Sequence, residues 1–169
     1  MDLIDEKRLG DRHVWALAAV FGVASVPWTY AFALANVPLW PSFIASATYY
    51  AADDDDPEAF RRATASNAVG VAYASGTLAV VDLLGGGTVV LAVVVGLCMF
   101  LASLHAAVPL LSFTPGGFFG YATMFSVHAA GVTVALGGLS GETVAAACSM
   151  AVGAAIGLAT DRLAADLSS

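Results

Sequence analysis

The chain has 169 residues, of which 59% are apolar and 11% are charged, and its formal net charge is −7. Because an average soluble domain carries about 25% charged residues, this chain has too little polar side-chain surface for a soluble fold of its size. The composition excludes a soluble enzyme, a disordered chain and a nucleic-acid-binding protein, and it predicts an all-α polytopic membrane protein.

The charged residues are confined to a few positions. No Asp, Glu, Lys or Arg occurs within 13–52, 63–81, 83–141 or 143–160. A helix that crosses the hydrocarbon core of a membrane needs about 20 apolar residues. These uncharged stretches therefore have room for several crossings.

Proline and glycine divide the chain into six predicted transmembrane helices. The predicted spans are His13–Asn36, Pro38–Ala52, Ala63–Leu84, Thr88–Leu111, Pro115–Leu136 and Thr143–Thr160. Three consecutive glycines, 85–87, separate the third span from the fourth, and Gly137 and Gly138 separate the fifth from the sixth. Asp56 followed by Pro57 is typical of a helix start and predicts that the third helix begins before its span.

The second span is short for a crossing. As a helix it would rise only about 22 Å, against a hydrocarbon core of about 30 Å, so a re-entrant half-helix is the alternative. With six crossings and the N-terminus inside, all cationic residues fall on the inner side: Lys7, Arg8, Arg12, Arg61, Arg62 and Arg162. This distribution favours six crossings in the plasma membrane, with both termini in the cytoplasm.

Three segments recur in the same order along the chain. The matching pairs are 37–39 with 108–110, 43–50 with 118–125, and 66–72 with 149–155. Their order predicts two three-helix repeats, 13–84 and 88–160, between a cytoplasmic segment 1–12 and a cytoplasmic tail 161–169. Because three is odd, the second repeat would be inverted relative to the first. Inverted repeats are common in transporters, with substrate sites near the midplane between the repeats.

The second and fifth spans combine aromatic, small and hydroxyl residues, and polar residues of the neighbouring spans join them. The candidates for a pore or solute path are Phe43, Ser46, Thr48, Asn67, Phe118, Tyr121, Thr123 and His128. Ionisable groups inside a membrane are functional candidates by default, and His128 lies near the middle of its predicted span. Packing between helices is the alternative role for these residues.

Glycines at helical spacing predict close helix contacts. The candidates for helix packing are Gly70, Gly120, Gly153 and Gly157. Gly153 and Gly157 follow Ser149 at intervals of four residues, and Gly70 follows Ser66 in the same way, which is typical of small-residue packing faces. Such faces join either the repeats or two protomers.

Taken together, these features predict the partners of the chain. The expected partners are the lipid bilayer, a small polar solute and a second copy of the chain, and nucleic acid is not among them.

Motifs of enzymes and metal proteins are missing from the sequence. It has no nucleophile elbow, phosphate-binding loop, Cys/His zinc spacing or pair of catalytic carboxylates. We therefore expect neither an enzyme nor a bound metal or cofactor.

Two segments resemble a known family. The first, 43–50, reads Phe-Ile-Ala-Ser-Ala-Thr-Tyr-Tyr, and the second, 112–120, reads Ser-Phe-Thr-Pro-Gly-Gly-Phe-Phe-Gly. They are similar to the motifs of small prokaryotic inner-membrane proteins grouped as domain of unknown function 1097, although Ala45 stands where the family often has glycine. The resemblance covers nearly the whole chain. It implies a membrane location and the repeated architecture, and it implies no substrate.

These features lead to two functional hypotheses. The inverted repeat, the Pro/Gly-broken segments and the scarcity of charge favour a channel or facilitator for a small uncharged or weakly ionised solute. The alternative is a non-transporting membrane protein that assembles with or binds a partner, which the glycine faces and the few polar groups also allow.

Overall fold

The chain, as a computed structural model, is described over residues 11–52, 56–132 and 137–169, and these residues form helices and no strand. The six helices are α1 (Arg12–Ala35), α2 (Trp40–Ala51), α3 (Asp56–Leu83), α4 (Thr88–Leu104), α5 (Thr114–Ala129) and α6 (Gly138–Ser168). Two 3₁₀ turns, His105–Ala107 and Pro109–Leu111, connect α4 to α5. The predicted segment 1–12 is described only at its last two residues, and the predicted end of the fifth span lies outside the described residues.

Three helices are followed by a residue with a left-handed backbone, and α5 is an example. Gly131 has φ 61°. Its N–H donates to the carbonyl oxygen of His128, and the N–H of Val132 donates to that of Val127. These two bonds form a Schellman motif, which terminates a helix. Helix α5 therefore ends at Ala129, before the predicted end of the fifth span at Leu136, which lies outside the described residues.

Two other helices also differ from their predicted spans. The fourth span was predicted to reach Leu111, but α4 ends at Leu104 and gives way to 3₁₀ turns. Pro109 accounts for part of this difference, because proline lacks an N–H and clashes with the preceding turn. Helix α6 extends beyond its predicted span at both ends, since helical structure does not stop where charged residues such as Asp161 begin.

Side-chain contacts at the two ends of the bundle show that α6 runs in the opposite direction to α1 and to α5. At one end of the bundle His13, in the first turn of α1, lies 3.3 Å from the hydroxyl of Ser168 in the last turn of α6. At the other end, the imidazole of His128 in α5 lies 2.7 Å from Glu142 in α6. The beginning and the end of the described chain therefore meet at the same end of the bundle.

The helices form an inner group and an outer group. Helices α2, α3, α5 and α6 supply nearly all of the buried residues, whereas α1 and α4 expose most of their surface. Helix α1 packs against α6, and α4 packs against α3. Within the described parts of the chain, three segments are long and apolar enough to cross a membrane: Arg12–Ala35, Thr88–Ala107 and Gly138–Ser168.

The inner helices pair across the two halves of the chain. The short helix α5 packs along the long helix α3, and the short helix α2 packs along the long helix α6. Each short helix thus lies against the long helix of the other half. We refer to these units as the α3–α5 pair and the α2–α6 pair.

Candidate functional site

The centre of the bundle contains a set of buried polar side chains, which we call the interior polar set. None of its members is more than 2% exposed. It consists of Ser46 and Thr48 on α2, Ser66 and Asn67 on α3, Thr123 on α5, and Ser149 on α6. All four inner helices therefore contribute to it.

Gly116 brings members of different helices together. A Cβ atom at Gly116, on α5, would lie 2.9 Å from Cβ of Ser66 and 3.3 Å from Cγ2 of Thr48. The Ser66 and Thr48 side chains therefore approach each other where α2, α3 and α5 meet. Glycine at position 116 is what leaves space for this approach.

Most of the interior polar set has unused hydrogen-bonding capacity. The hydroxyl of Thr48 donates to the carbonyl oxygen of Ile44, at 2.7 Å. The other five members, Ser46, Ser66, Asn67, Thr123 and Ser149, have polar side-chain atoms without a partner among the described residues. An unpartnered buried polar group costs about 1–3 kcal/mol. These groups are therefore available to donate to and accept from a molecule that enters the bundle.

The interior is uncharged, and ionisable groups lie toward the bundle ends. Among the described residues, the buried polar side chains are all hydroxyls and one amide. Toward one end, Tyr49 donates to the carboxylate of Asp161 at 3.0 Å. At the other end Glu142 contacts His128. Such an arrangement suits hydrogen bonding to an uncharged solute better than coordination of an ion.

The four glycines predicted to pack helices all lie at close contacts. A Cβ atom at Gly70 would meet the carbonyl oxygen of Gly117, and one at Gly153 would meet that of Ser42. A Cβ atom at Gly120 would meet the backbone of Asn67, and one at Gly157 would lie 3.0 Å from the Tyr49 ring. In the described structure these faces join helices of one chain, α3 with α5 and α2 with α6.

The structure brings together half of the predicted path residues. Ser46, Thr48, Asn67 and Thr123 belong to the interior polar set. Tyr121 is also buried, but its hydroxyl lies 2.9 Å from that of Thr77.

The other three predicted path residues lie elsewhere. Phe43 stacks on Trp28 with ring centroids 4.2 Å apart, and Phe118 is 41% exposed on the outside of α5. His128 was predicted to lie near the middle of its span. It lies instead in the last turn of α5, because the helix ends at Ala129. Its side chain is 48% exposed.

Two members of the interior polar set, Ser66 and Ser149, were not among the residues predicted to line a solute path. Ser66 and Ser149 were assigned to packing faces, because each begins a series of small residues. Both occupy the same position in the third repeated segment, and this correspondence was the available signal that they share an environment.

Comparisons with known proteins give one match. No curated protein and no solved structure matches the chain. The sequence model of one family, described as a protein of unknown function (DUF1097), matches residues 16–165 and thus nearly all of the described helices. This match confirms the resemblance that the two sequence motifs indicated. The chain belongs to the DUF1097 family.

Proposed function

We propose that the chain is a multi-pass membrane protein that carries a small uncharged or weakly ionised solute between the α2–α6 pair and the α3–α5 pair. The observation that carries this proposal is the interior polar set, whose buried hydroxyl and amide groups have no partner among the described residues. In an apolar bundle such groups are costly, and a passing solute would supply their missing hydrogen bonds.

The outer helices support a location in the membrane. Helices α1 and α4 expose large apolar side chains along their whole length. These include Trp15, Val23, Val26, Tyr30, Leu34, Val89, Val93, Leu97, Phe100 and Leu104. A soluble monomer rarely exposes apolar patches of more than a few hundred Å², whereas lipid would cover these faces.

The glycine contacts support two related halves in opposite orientation. The sequence repeat aligns 43–50 with 118–125 and 66–72 with 149–155. It therefore makes Ser42 equivalent to Gly117 and Gly70 equivalent to Gly153. The two tightest backbone contacts, Gly70 with Gly117 and Gly153 with Ser42, are equivalent under this alignment. Two three-helix halves would give six crossings, and the position of every Lys and Arg on one side of such a topology supports termini in the cytoplasm.

The close packing favours a facilitator that changes shape over a permanently open pore. Backbone atoms touch within each pair at Gly70 and Gly153, so these contacts leave no space for a solute inside a pair. The solute would instead pass where one pair faces the other. Movement of one repeat or bundle against another is the usual mechanism of inverted-repeat transporters.

Flux measurements on purified protein in liposomes test this proposal. We expect permeability to at least one small neutral solute, from a panel of glycerol, acetamide and ethanediol, to rise in proportion to protein density. Leakage of K⁺ should equal that of protein-free liposomes, because the interior polar set has no charge. An unchanged permeability to every neutral solute at high protein density would overturn the proposal and leave a non-transporting assembly role.

Thr123→Val separates a role in transport from a role in stability. Valine has nearly the same shape as threonine, and removal of an unpartnered buried hydroxyl does not cost stability. We expect the melting temperature to stay the same or rise, while the solute flux falls about fivefold, the effect of losing about 1 kcal/mol of hydrogen bonding. Ser103→Ala is the matched control, since this exposed α4 hydroxyl bonds only within its own helix. Equal flux in both variants would count against the path.

A further inference from the structure

A polar contact joins α5 to α6 at the end of the bundle where α5 ends and α6 begins. Nδ1 of His128 lies 2.7 Å from Oε2 of Glu142. The two residues belong to different units, His128 to the α3–α5 pair and Glu142 to the α2–α6 pair. The His128–Glu142 contact therefore spans the boundary between the pairs, where the solute would pass.

A second contact joins the same two units nearby. Thr143 follows Glu142 on α6, and its hydroxyl lies 2.7 Å from that of Ser75 on α3. Both α6 residues lie within the first two turns of that helix, which begins at Gly138. Under six crossings this is the outer end of the bundle. The two contacts hold the pairs together at that end.

The His128–Glu142 contact changes strength with protonation. A neutral imidazole donates one N–H to the carboxylate, whereas a protonated imidazole adds the attraction of opposite charges. The Glu142 side chain is only 13% exposed, so water and salt screen this attraction less than at an open surface. The contact is strongest where His128 is protonated and Glu142 is ionised, and the loss of either charge weakens it.

Few other ionisable groups lie at this end of the bundle. Helices α2, α3 and α4 also pack against α5, and α1, α2 and α3 pack against α6. Within the two turns of these helices that lie nearest this end, the other ionisable side chains are Asp82 on α3 and Tyr30 on α1. Both are exposed, and no Lys or Arg lies in these turns. A pH response that arises here therefore has few sources other than the His128–Glu142 contact.

We infer that the His128–Glu142 contact is a pH-sensitive outer gate of the solute path, an inference that rests on the proposed function. In mildly acidic solution, where imidazoles in general are protonated and carboxylic acids in general are ionised, the charged contact holds the pairs together. In more acidic or more alkaline solution one charge is lost, and the pairs separate more readily. The flux of a neutral solute therefore passes through a minimum as the pH changes.

Flux into liposomes from about pH 4 to about pH 9, with equal pH on both sides, tests the gate. The probe is the panel solute that the wild type carries, and it does not titrate in this range. We expect wild-type flux at the minimum to be about threefold lower than in alkaline solution, as for a partly exposed ion pair. His128→Gln and Glu142→Gln should each remove the minimum, because neither variant forms the charged pair.

His128→Lys tests the gate in the opposite sense. Lysine keeps its charge to about pH 10, so the flux of this variant should stay low in alkaline solution, where that of the wild type rises. Asp82→Asn and His13→Gln are the matched controls. The first removes the exposed carboxylate of α3, and the second removes a histidine that faces Asp161 at the other end of the bundle. Both variants should retain the wild-type minimum.

A distance measurement reports opening independently of transport. Leu84, just after α3, and Ser140, in the first turn of α6, are both exposed. Spin labels on Leu84→Cys and Ser140→Cys, in a background without Cys98 and Cys148, report the separation of the pairs at this end in detergent. We expect longer distances in alkaline solution than at the pH of minimal flux. Glu142→Gln should give the longer distances at both pH values.

The outcomes separate this inference from the proposed function. If wild-type flux is the same across the pH range, or its minimum persists in both glutamine variants, the contact is not a gate, while the facilitator function stands. If flux changes with pH but the spin-label distance does not, the pH response lies elsewhere and the gate is again wrong. If wild-type liposomes carry no panel solute, the proposed function fails, and the inference that this contact gates transport fails with it.

Discussion

Replacement of Gly153 by alanine is expected to destabilise the protein strongly. A Cβ atom at this position would overlap the carbonyl oxygen, carbonyl carbon and Cα of Ser42. These are backbone atoms, so α2 and α6 would have to move apart. Overpacking of a core usually costs 1–3 kcal/mol, and we expect Gly153→Ala to cost about 3 kcal/mol. We expect a similar loss of stability for Gly70→Ala, because its Cβ would meet the backbone of Gly117 on α5.

Gly96→Ala and Gly22→Ala are the matched controls for these substitutions. Both glycines are helical, and a Cβ atom at either would meet nothing within 4 Å. Alanine should therefore stabilise these helices by about 0.5–1 kcal/mol. The measurement is the melting temperature of the detergent-solubilised protein. If Gly153→Ala melted at the same temperature as Gly96→Ala, the packing of α2 on α6 described here would be wrong.

In cysteine labelling experiments, each introduced cysteine is expected to react from one side of the membrane only. The background is Cys98→Ala with Cys148→Ala, and single cysteines replace Ala51, Leu84 or Ser169, which are all exposed ends of helices. With six crossings and the N-terminus in the cytoplasm, an impermeant thiol reagent should reach Ala51→Cys and Ser169→Cys only from the cytoplasmic side. It should reach Leu84→Cys from the opposite side. A re-entrant α2 alone would give the same pairing with every site on the other side.

A topology in which both short helices are re-entrant predicts a different pairing of these sites. If α2 and α5 were both re-entrant, Leu84→Cys and Ser169→Cys would share a side, and Ala51→Cys would lie opposite. Helix α2 is short enough for this alternative, since its 12 residues rise only about 18 Å. Helix α2 runs parallel to α6, because Ser42 meets Gly153 and Tyr49 meets Asp161. Helix α3 runs against α6, because Ser75 near its end meets Thr143 near the start of α6. Helices α2 and α3 thus run in opposite directions, which favours six crossings. Labelling of Leu84→Cys and Ser169→Cys from one side would contradict it.

The helical fold class and the helix breaks could be predicted because they depend on local chemistry. The scarcity of charge indicated a membrane protein, and the glycines at 85–87 separate α3 from α4 as expected. The end of α5 at Gly131 was missed, because a single glycine in an apolar stretch is a weak signal beside Gly137-Gly138. Only the structure shows the two hydrogen bonds that end the helix there.

The sequence does not reveal which side of each helix contacts lipid and which side contacts other helices, because lipid and protein interior are both apolar. In a soluble helix, polarity would mark the exposed side. Here Phe118 and Tyr121 belong to one repeated segment, 118–125, yet Phe118 is exposed and Tyr121 is buried. The pairing of each short helix with the long helix of the other half was likewise not readable from the sequence, since small residues lie on several faces.

A reversible cross-link between the two helix pairs is expected to stop transport, because solute passes only as the pairs separate. The hydroxyls of Ser75 on α3 and Thr143 on α6 lie 2.7 Å apart, so cysteines at both positions would bring two sulfurs close together. The background again lacks Cys98 and Cys148. With the panel solute that the wild type carries, we expect oxidation to abolish flux through these liposomes and reduction to restore it, while Ser75→Cys alone stays unaffected. Full flux in quantitatively cross-linked protein would show that transport does not require the pairs to separate.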